Sequence, residues 1–223
     1  MSTLKTINLQ HPSSSNNNII LNSVGGITAN NNLIANGSIT STGAIVSGTT
    51  ITSGTTITAG TTVADSTAII RPLVSMSSQT TTSGTSFDFT GIPSWVKRIT
   101  VMFQGVSLSG TDDILVQAIV AGSNVATGYS SVSSSTAGTS SSGGLTTGFN
   151  IRLNAAADAL SGNLFLLNIT GNSWTSNHSA YRNSTTTTQG GGSVSLSGTL
   201  TGLRILSSSS NTFDAGTINV MYE

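Results

Sequence analysis

The sequence predicts an all-β protein in two parts: a six-residue-repeat shaft formed by three chains, then a β-sandwich of jelly-roll type. Three observations predict it. Aliphatic side chains recur every sixth residue from Leu21 to Ile69. Beyond residue 71, short runs of alternating apolar and polar residues are separated by Gly-, Ser- and Asn-rich turns. Ser and Thr fill 75 of the 223 positions, while only 6% are charged and three are Pro. Thr, Val and Ile suit a pleated surface, and few prolines interrupt the ladders. Disorder pairs low hydrophobicity with high charge, whereas here 36% of residues are hydrophobic and charge is scarce.

Residues 1–20 come first. Leu4, Ile7 and Leu9 alternate with polar residues before the run Ser13 to Asn18. A short strand and loop are expected, serving either as an anchor to a larger assembly or as the plain start of the shaft. No apolar core of a secretory leader follows Met1.

Residues 21–70 carry the repeat. Its positions are Leu21, Ile27, Leu33, Ile39, Ile45, Ile51, Ile57, Val63 and Ile69, with Gly48, Gly54 and Gly60 in register. Glycine supplies tight corners, and the aliphatic residue points inward. One apolar residue in six is thin cover for a single chain. Three chains around a threefold axis would give each layer three. A left-handed single-chain helix would gain only about three coils from nine hexads. The charge-free stretch between Lys5 and Asp65 also suits a thin hydroxyl-coated fibre better than a solenoid with exposed edges. A linker without regular structure is the remaining alternative.

Residues 71–223 read as the sandwich. Ile99, Val101 and Phe103 alternate with Thr100, Met102 and Gln104; Ile114, Val116, Ala118 and Val120 alternate with Leu115, Gln117 and Ile119. Further strands are expected at 149–153, 162–170, 193–197, 203–207 and 217–222. Turn signals at 108–113, 121–124, 137–144 and 189–192 divide them. The stretch Asn154 to Leu160 suits one helical turn at most.

Two segments carry a resemblance. The opening Leu4-Lys-Thr-Ile-Asn-Leu-Gln-His-Pro resembles the start of virion fibre and tail proteins of tailed phages, especially those infecting cyanobacteria. The stretch Phe87-Asp-Phe-Thr-Gly-Ile-Pro-Ser-Trp-Val-Lys-Arg-Ile-Thr-Val-Met-Phe103 is similar to a module of phage tail-fibre and related virion proteins, and is the more specific match. Together they cover about 30 residues. The resemblance implies a structural virion component, often trimeric, with a distal β domain. Leu4, Ile7 and Leu9 would then dock on other virion proteins of the tail or the capsid. Tail fibre, head fibre and capsid decoration proteins share such parts.

Chemistry is sparse. Seven cations and seven anions give no net charge and no basic cluster, so nucleic acid is not an expected partner. No stretch approaches 18 apolar residues, so no membrane-inserting helix is expected. With no Cys, no His-x-His and His11 far from His178, no metal or other cofactor is expected. Asp112-Asp113 reads as a hairpin turn, with Ca²⁺ binding as the alternative. The absence of a Gly-x-Ser-x-Gly elbow and of any Glu before Glu223 argues against hydrolase and glycosidase chemistry. Acyl transfer on a hexapeptide helix would need a His near the repeat, and both lie outside it. One cluster stands out: Trp174, His178, Tyr181 and Arg182 in a Ser-, Thr- and Asn-rich stretch. Aromatic faces and an Arg could make a glycan-contact loop, although the favoured reading of Trp174 is packing in the core or at a trimer seam. The expected function is therefore binding to a host-surface glycan without turnover. Three weak sites on one stalk would gain avidity. Capsid decoration is the alternative.

Overall fold

The computed structural model describes residues 63–64, 69–70, 73–135, 141–183 and 186–223. All belong to the compact unit Thr58–Glu223, which begins before the expected boundary at 71. Leu21 to Ile57 of the hexad series, and Leu4, Ile7 and Leu9, lie outside the described residues. Val63 and Ile69 are described in backbone. Strand β1 (Val63–Ala64) pairs antiparallel with β2 (Ile69–Ile70), Val63 opposite Ile70 and Ala64 opposite Ile69. The chain therefore reverses between these last two positions.

The rest is antiparallel β-structure, with no helix among the described residues. In chain order the strands are β3 (Val74–Ser75), β4 (Gln79–Thr80), β5 (Ser86–Thr90), β6 (Arg98–Leu108), β7 (Ile114–Val120), β8 (Ser123–Asn124), β9 (Tyr129–Ser135) and β10 (Ser141–Leu145). They continue with β11 (Phe149–Ile151), β12 (Leu160–Thr170), β13 (Ser173–Asn183), β14 (Thr186–Ser195), β15 (Leu200–Ser207) and β16 (Phe213–Tyr222). A nine-stranded sheet runs β10-β9-β14-β13-β12-β6-β16-β3, with β4 also on β16. A five-stranded sheet runs β11-β7-β15-β5, with β8 on β7. Both sheets contribute to one hydrophobic core, which is compatible with the expected sandwich.

The apolar half of the interior follows the period-2 pattern. Ile99, Val101 and Phe103 of β6 are buried while Thr100 and Met102 are half-buried. Leu164 and Leu166 of β12, with Ile218 and Val220 of β16, extend that face. Val116, Ala118, Leu203 and Ile205 answer from the smaller sheet. The phase then changes: on β6 the buried positions become Val106 and Leu108. Gly105 (φ 61) lies at the switch, and Gly162 on β12 and Gly216 on β16 (φ 99) accompany it. Both ladders slip register there. A Cβ at Gly216 would lie 2.5 Å from the Gly105 carbonyl oxygen, so three adjacent strands bulge together and bend the sheet.

β7 is buried on both faces. Gln117 on its second face spends both ends of its amide, donating Nε2 to the Thr147 carbonyl at 2.7 Å and accepting from Asn124 Nδ2 at 2.7 Å. Trp95 packs edge-on against Tyr222 at 6.0 Å between ring centres, as expected of a core-packing residue at a strand entry. Asn154 to Leu160 forms a turn rather than a helical turn: Asp158 Oδ2 accepts from the amides of Asn154 (2.9 Å) and Ala155 (3.0 Å).

Candidate functional site

Strand β13 carries the four residues expected to touch a glycan. Because it is a strand and not a loop, successive side chains face opposite ways. Trp174, His178 and Arg182 share the inner face and are 5%, 4% and 3% exposed. Only Tyr181, half exposed at 50%, points outward. The expectation of one glycan-contact surface made by these four residues is therefore corrected. Trp174 joins the hydrophobic core. Arg182 Nε lies 3.2 Å from Asp158 Oδ2, tying the 154–158 turn to the strand.

His178 anchors a buried polar network. Ser133 of β9 and His178 of β13 stand on either side of the middle strand β14, both opposite Gly190. Their side chains meet over it, Ser133 Oγ to His178 Nε2 at 3.0 Å. A Cβ on Gly190 would fall 2.2 Å from the Val132 carbonyl oxygen and 2.6 Å from His178 Cε1, so only glycine leaves room. Ser133 Oγ also accepts from the Arg152 amide at 3.0 Å and meets Thr188 Oγ1 at 3.0 Å; Thr188 donates to the Ser134 carbonyl at 3.3 Å. One proton assignment satisfies all four contacts: His178 Nε2–H donates to Ser133, Ser133 to Thr188, and Thr188 to the carbonyl. In that assignment the imidazole does not act as a base toward Ser133. Burial pushes the His178 pKa down to about 4, because a charged ring has no compensating partner there.

The serines of β9 do a second job. Ser131 Oγ accepts from the Asn150 amide (2.9 Å), Ser133 Oγ from Arg152, and Ser135 Oγ from Asn154 Nδ2 (3.2 Å). Every second hydroxyl of β9 thus engages every second residue along β11 and its continuation. Side chains, not a backbone ladder, join the two sheets along this side. Tyr129 adds a further tie: its hydroxyl accepts from the Ala118 amide at 2.8 Å, and burial pushes its pKa up to about 12.

A polar cleft lies where the β6–β7 turn meets the segment after β11. Asp112 Oδ2 accepts from Ser207 Oγ and from the Asn211 amide, both at 2.9 Å. Asp113 Oδ1 accepts from the Leu153 amide at 3.0 Å, and Arg152 Nη1 lies 3.9 Å from Asp113 Oδ2. Burial raises the Asp113 pKa, opposed by the Asn150 hydrogen bond and by Arg152. Thr111, Leu145, Thr147, Leu153, Asn154 and Ser208 complete the walls.

No family model, curated protein or solved structure matches the chain. The site is therefore read from geometry alone. Among the described residues no group of three or more His, Cys, Asp or Glu side chains is placed to hold a metal ion, and no helix is long and apolar enough to cross a membrane. Asp112 and Asp113 lie in the link between β6 and β7, which belong to different sheets, so the expected hairpin turn is corrected to a connection between sheets; Arg152 and Asn154 are brought alongside from a distant part of the chain. The Asp-Asp pair was the only local signal for this cleft. Ser131, Ser133, Ser135 and Thr188 carried none, since Ser and Thr are everywhere in this sequence.

Proposed function

We propose that this chain is a structural virion protein: a homotrimeric phage fibre that attaches to the particle by its N-terminal segment and presents the β domain for host-surface recognition. The observation that carries this reading is the hexad register from Leu21 to Ile57. A row of single aliphatics every six residues buries itself only against counterparts, and three chains around one axis supply them. The segment from Phe87 to Phe103, whose likeness is to phage fibre modules, forms β5, the Trp95 turn and the start of β6, at the heart of the β domain. That domain suits presentation rather than turnover. The Ser133–His178 contact is spent on packing, while the uncharged Asn177, Ser179, Tyr181 and Gln189 stand exposed on β13 and β14. Jelly-roll connectivity and the trimeric β-helical shaft belong to this proposal.

Light scattering on the full chain tests it. A molar mass of about three chains is expected, and Ile51→Asp, which would bring three carboxylates into one dry layer, should abolish assembly. A monomeric wild-type chain would sink the reading. Imaging of the particle separates a tail position from capsid decoration.

A further inference from the structure

We infer that the outer face of the large sheet along β12, with its neighbours on β6 and β16, docks on a second copy of this chain. An antiparallel strand with one face in water alternates apolar and polar residues, whereas a strand covered on both faces reads as a continuous apolar run. Strand β12 contains such a run, Leu164-Phe165-Leu166-Leu167, followed by Ile169. Leu164 and Leu166 fill the core. Phe165, Leu167 and Ile169 point the other way: Phe165 is half-buried, Leu167 is 44% exposed and Ile169 is 66% exposed. The register widens this patch. Phe165 stands opposite Thr100 of β6, and Thr100 opposite Met221 of β16; Met102 follows on the same face, opposite Asn163. On the other side of β12, strand β13 gives the same face Thr175, Asn177 and Ser179. The apolar character is therefore confined to one part of the sheet.

The chemistry of the patch selects its occupant. Aliphatic side chains with Met and an aromatic ring, and no charge among them, match the centre of a protein–protein interface. The charges at its end are tied down locally: Arg98 pairs with Glu223, and Lys97 Nζ donates to Asn168 Oδ1 at 2.9 Å. They leave no basic cluster for an anionic membrane surface and no acidic one for a basic partner. The partner is therefore an uncharged, partly apolar protein surface. A copy of this chain presents one, since only 6% of its residues are charged. Connectivity brings that copy close. Strand β3, the first after residue 70, lies on β16 with Ser75 opposite Met221. Three chains joined through their hexads would be tethered at the edge of this face. Their effective concentration would be on the order of millimolar, at which a modest face suffices. The choice of occupant rests on the fibre reading; the apolar run on both faces of β12 does not.

Thiol labelling tests the inference, since the chain has no Cys of its own. Ile169→Cys and Val132→Cys are made singly in the full chain and treated with a maleimide. Val132, on β9 and outside the patch, is the reference. At 52% exposed against 66%, it should react no faster than position 169 in a lone chain. With the face docked, the Ile169→Cys thiol is expected to react about tenfold slower than the Val132→Cys thiol, and equally fast in denaturing urea. Photo-methionine at Met102 and Met221 then identifies the cover, in isotopically light and heavy chains refolded together. Adducts joining a light chain to a heavy one are expected. Equal labelling rates in the native chain, adducts confined within single chains, or no adduct at these two residues overturns the inference. Molar mass reports separately on the fibre. Three chains with fast labelling reject the face and keep the fibre; a covered, cross-linked face in a two-chain assembly does the reverse.

Discussion

The interior of the β domain has two halves built on opposite principles. Under β6, β12 and β16 the buried side chains are overwhelmingly apolar, chiefly aliphatic. Under β9, β13 and β14 polar side chains share the interior with apolar ones such as Tyr129, Trp174 and Val194. Ser133, Ser135, Thr188, His178 and Arg182 point inward, while Val132 of β9 is 52% exposed on the outer face. The first half is held by non-directional burial, which tolerates some repacking. The second is held by hydrogen bonds and an ion pair, each needing a specific partner in a low-dielectric setting. Loss of one member there strands the others.

The sharpest way to test that contrast is to remove one charge of the buried pair. Asp158→Ala leaves Arg182 charged and enclosed, and should cost about 3–5 kcal/mol. Adding Arg182→Met should recover much of the loss, because a buried pair replaced by apolar groups is close to neutral. Urea unfolding of the single and double variants measures both. No recovery would mean that the pair is not what the polar half depends on. In the apolar half, Leu164→Ala should cost about 2–5 kcal/mol through lost burial and the cavity left behind, and no second polar change should rescue it.

Gly190→Ala comes next. Its methyl group would press on the Val132 carbonyl and the His178 ring, forcing β9 and β13 apart from β14, at a cost of about 1–3 kcal/mol. Faster hydrogen exchange should appear at β9 and β14 but not at β6 or β16. A uniform effect would show that the two halves are coupled more tightly than their chemistry suggests. Near neutral pH the smallest effect is that of His178. Unfolded, His178 takes up a proton near pH 6.5; folded, only near pH 4. Stability is therefore whole well above pH 6.5 and falls as the pH drops towards 4. The loss is about 1 kcal/mol by pH 6 and then approaches about 1.4 kcal/mol per pH unit. His178→Gln should remove that slope, read as the difference between the two unfolding curves at each pH.

The same contrast explains which strands are legible in the sequence. Where the inside is aliphatic, hydrophobic alternation marks the strand, and β6, β7, β12, β15 and β16 are legible from residues such as Ile99, Val101 and Phe103. Where the inside is Ser, Thr, His and Arg, alternation is silent. Strand β13 reads as a polar loop, and β9 and the first half of β14 show no periodic signal at all. The turn chemistry of residues 189–192 misleads for a related reason: the run Gly190-Gly191-Gly192 reads as a turn but lies within β14, where it permits close approach between strands.

By itself the sequence determined the all-β class, the strands of the apolar half and the break in the chain at Asp112-Asp113, because local alternation and breaker chemistry are carried by neighbouring residues. Tertiary structure alone decided that Trp174, His178 and Arg182 face inward, that serines join the sheets, and that Asp112, Arg152 and Ser208 share a cleft. Hydrogen-bond complementarity between strands far apart in the chain has no local period, so it exists only once the sheets have closed over it.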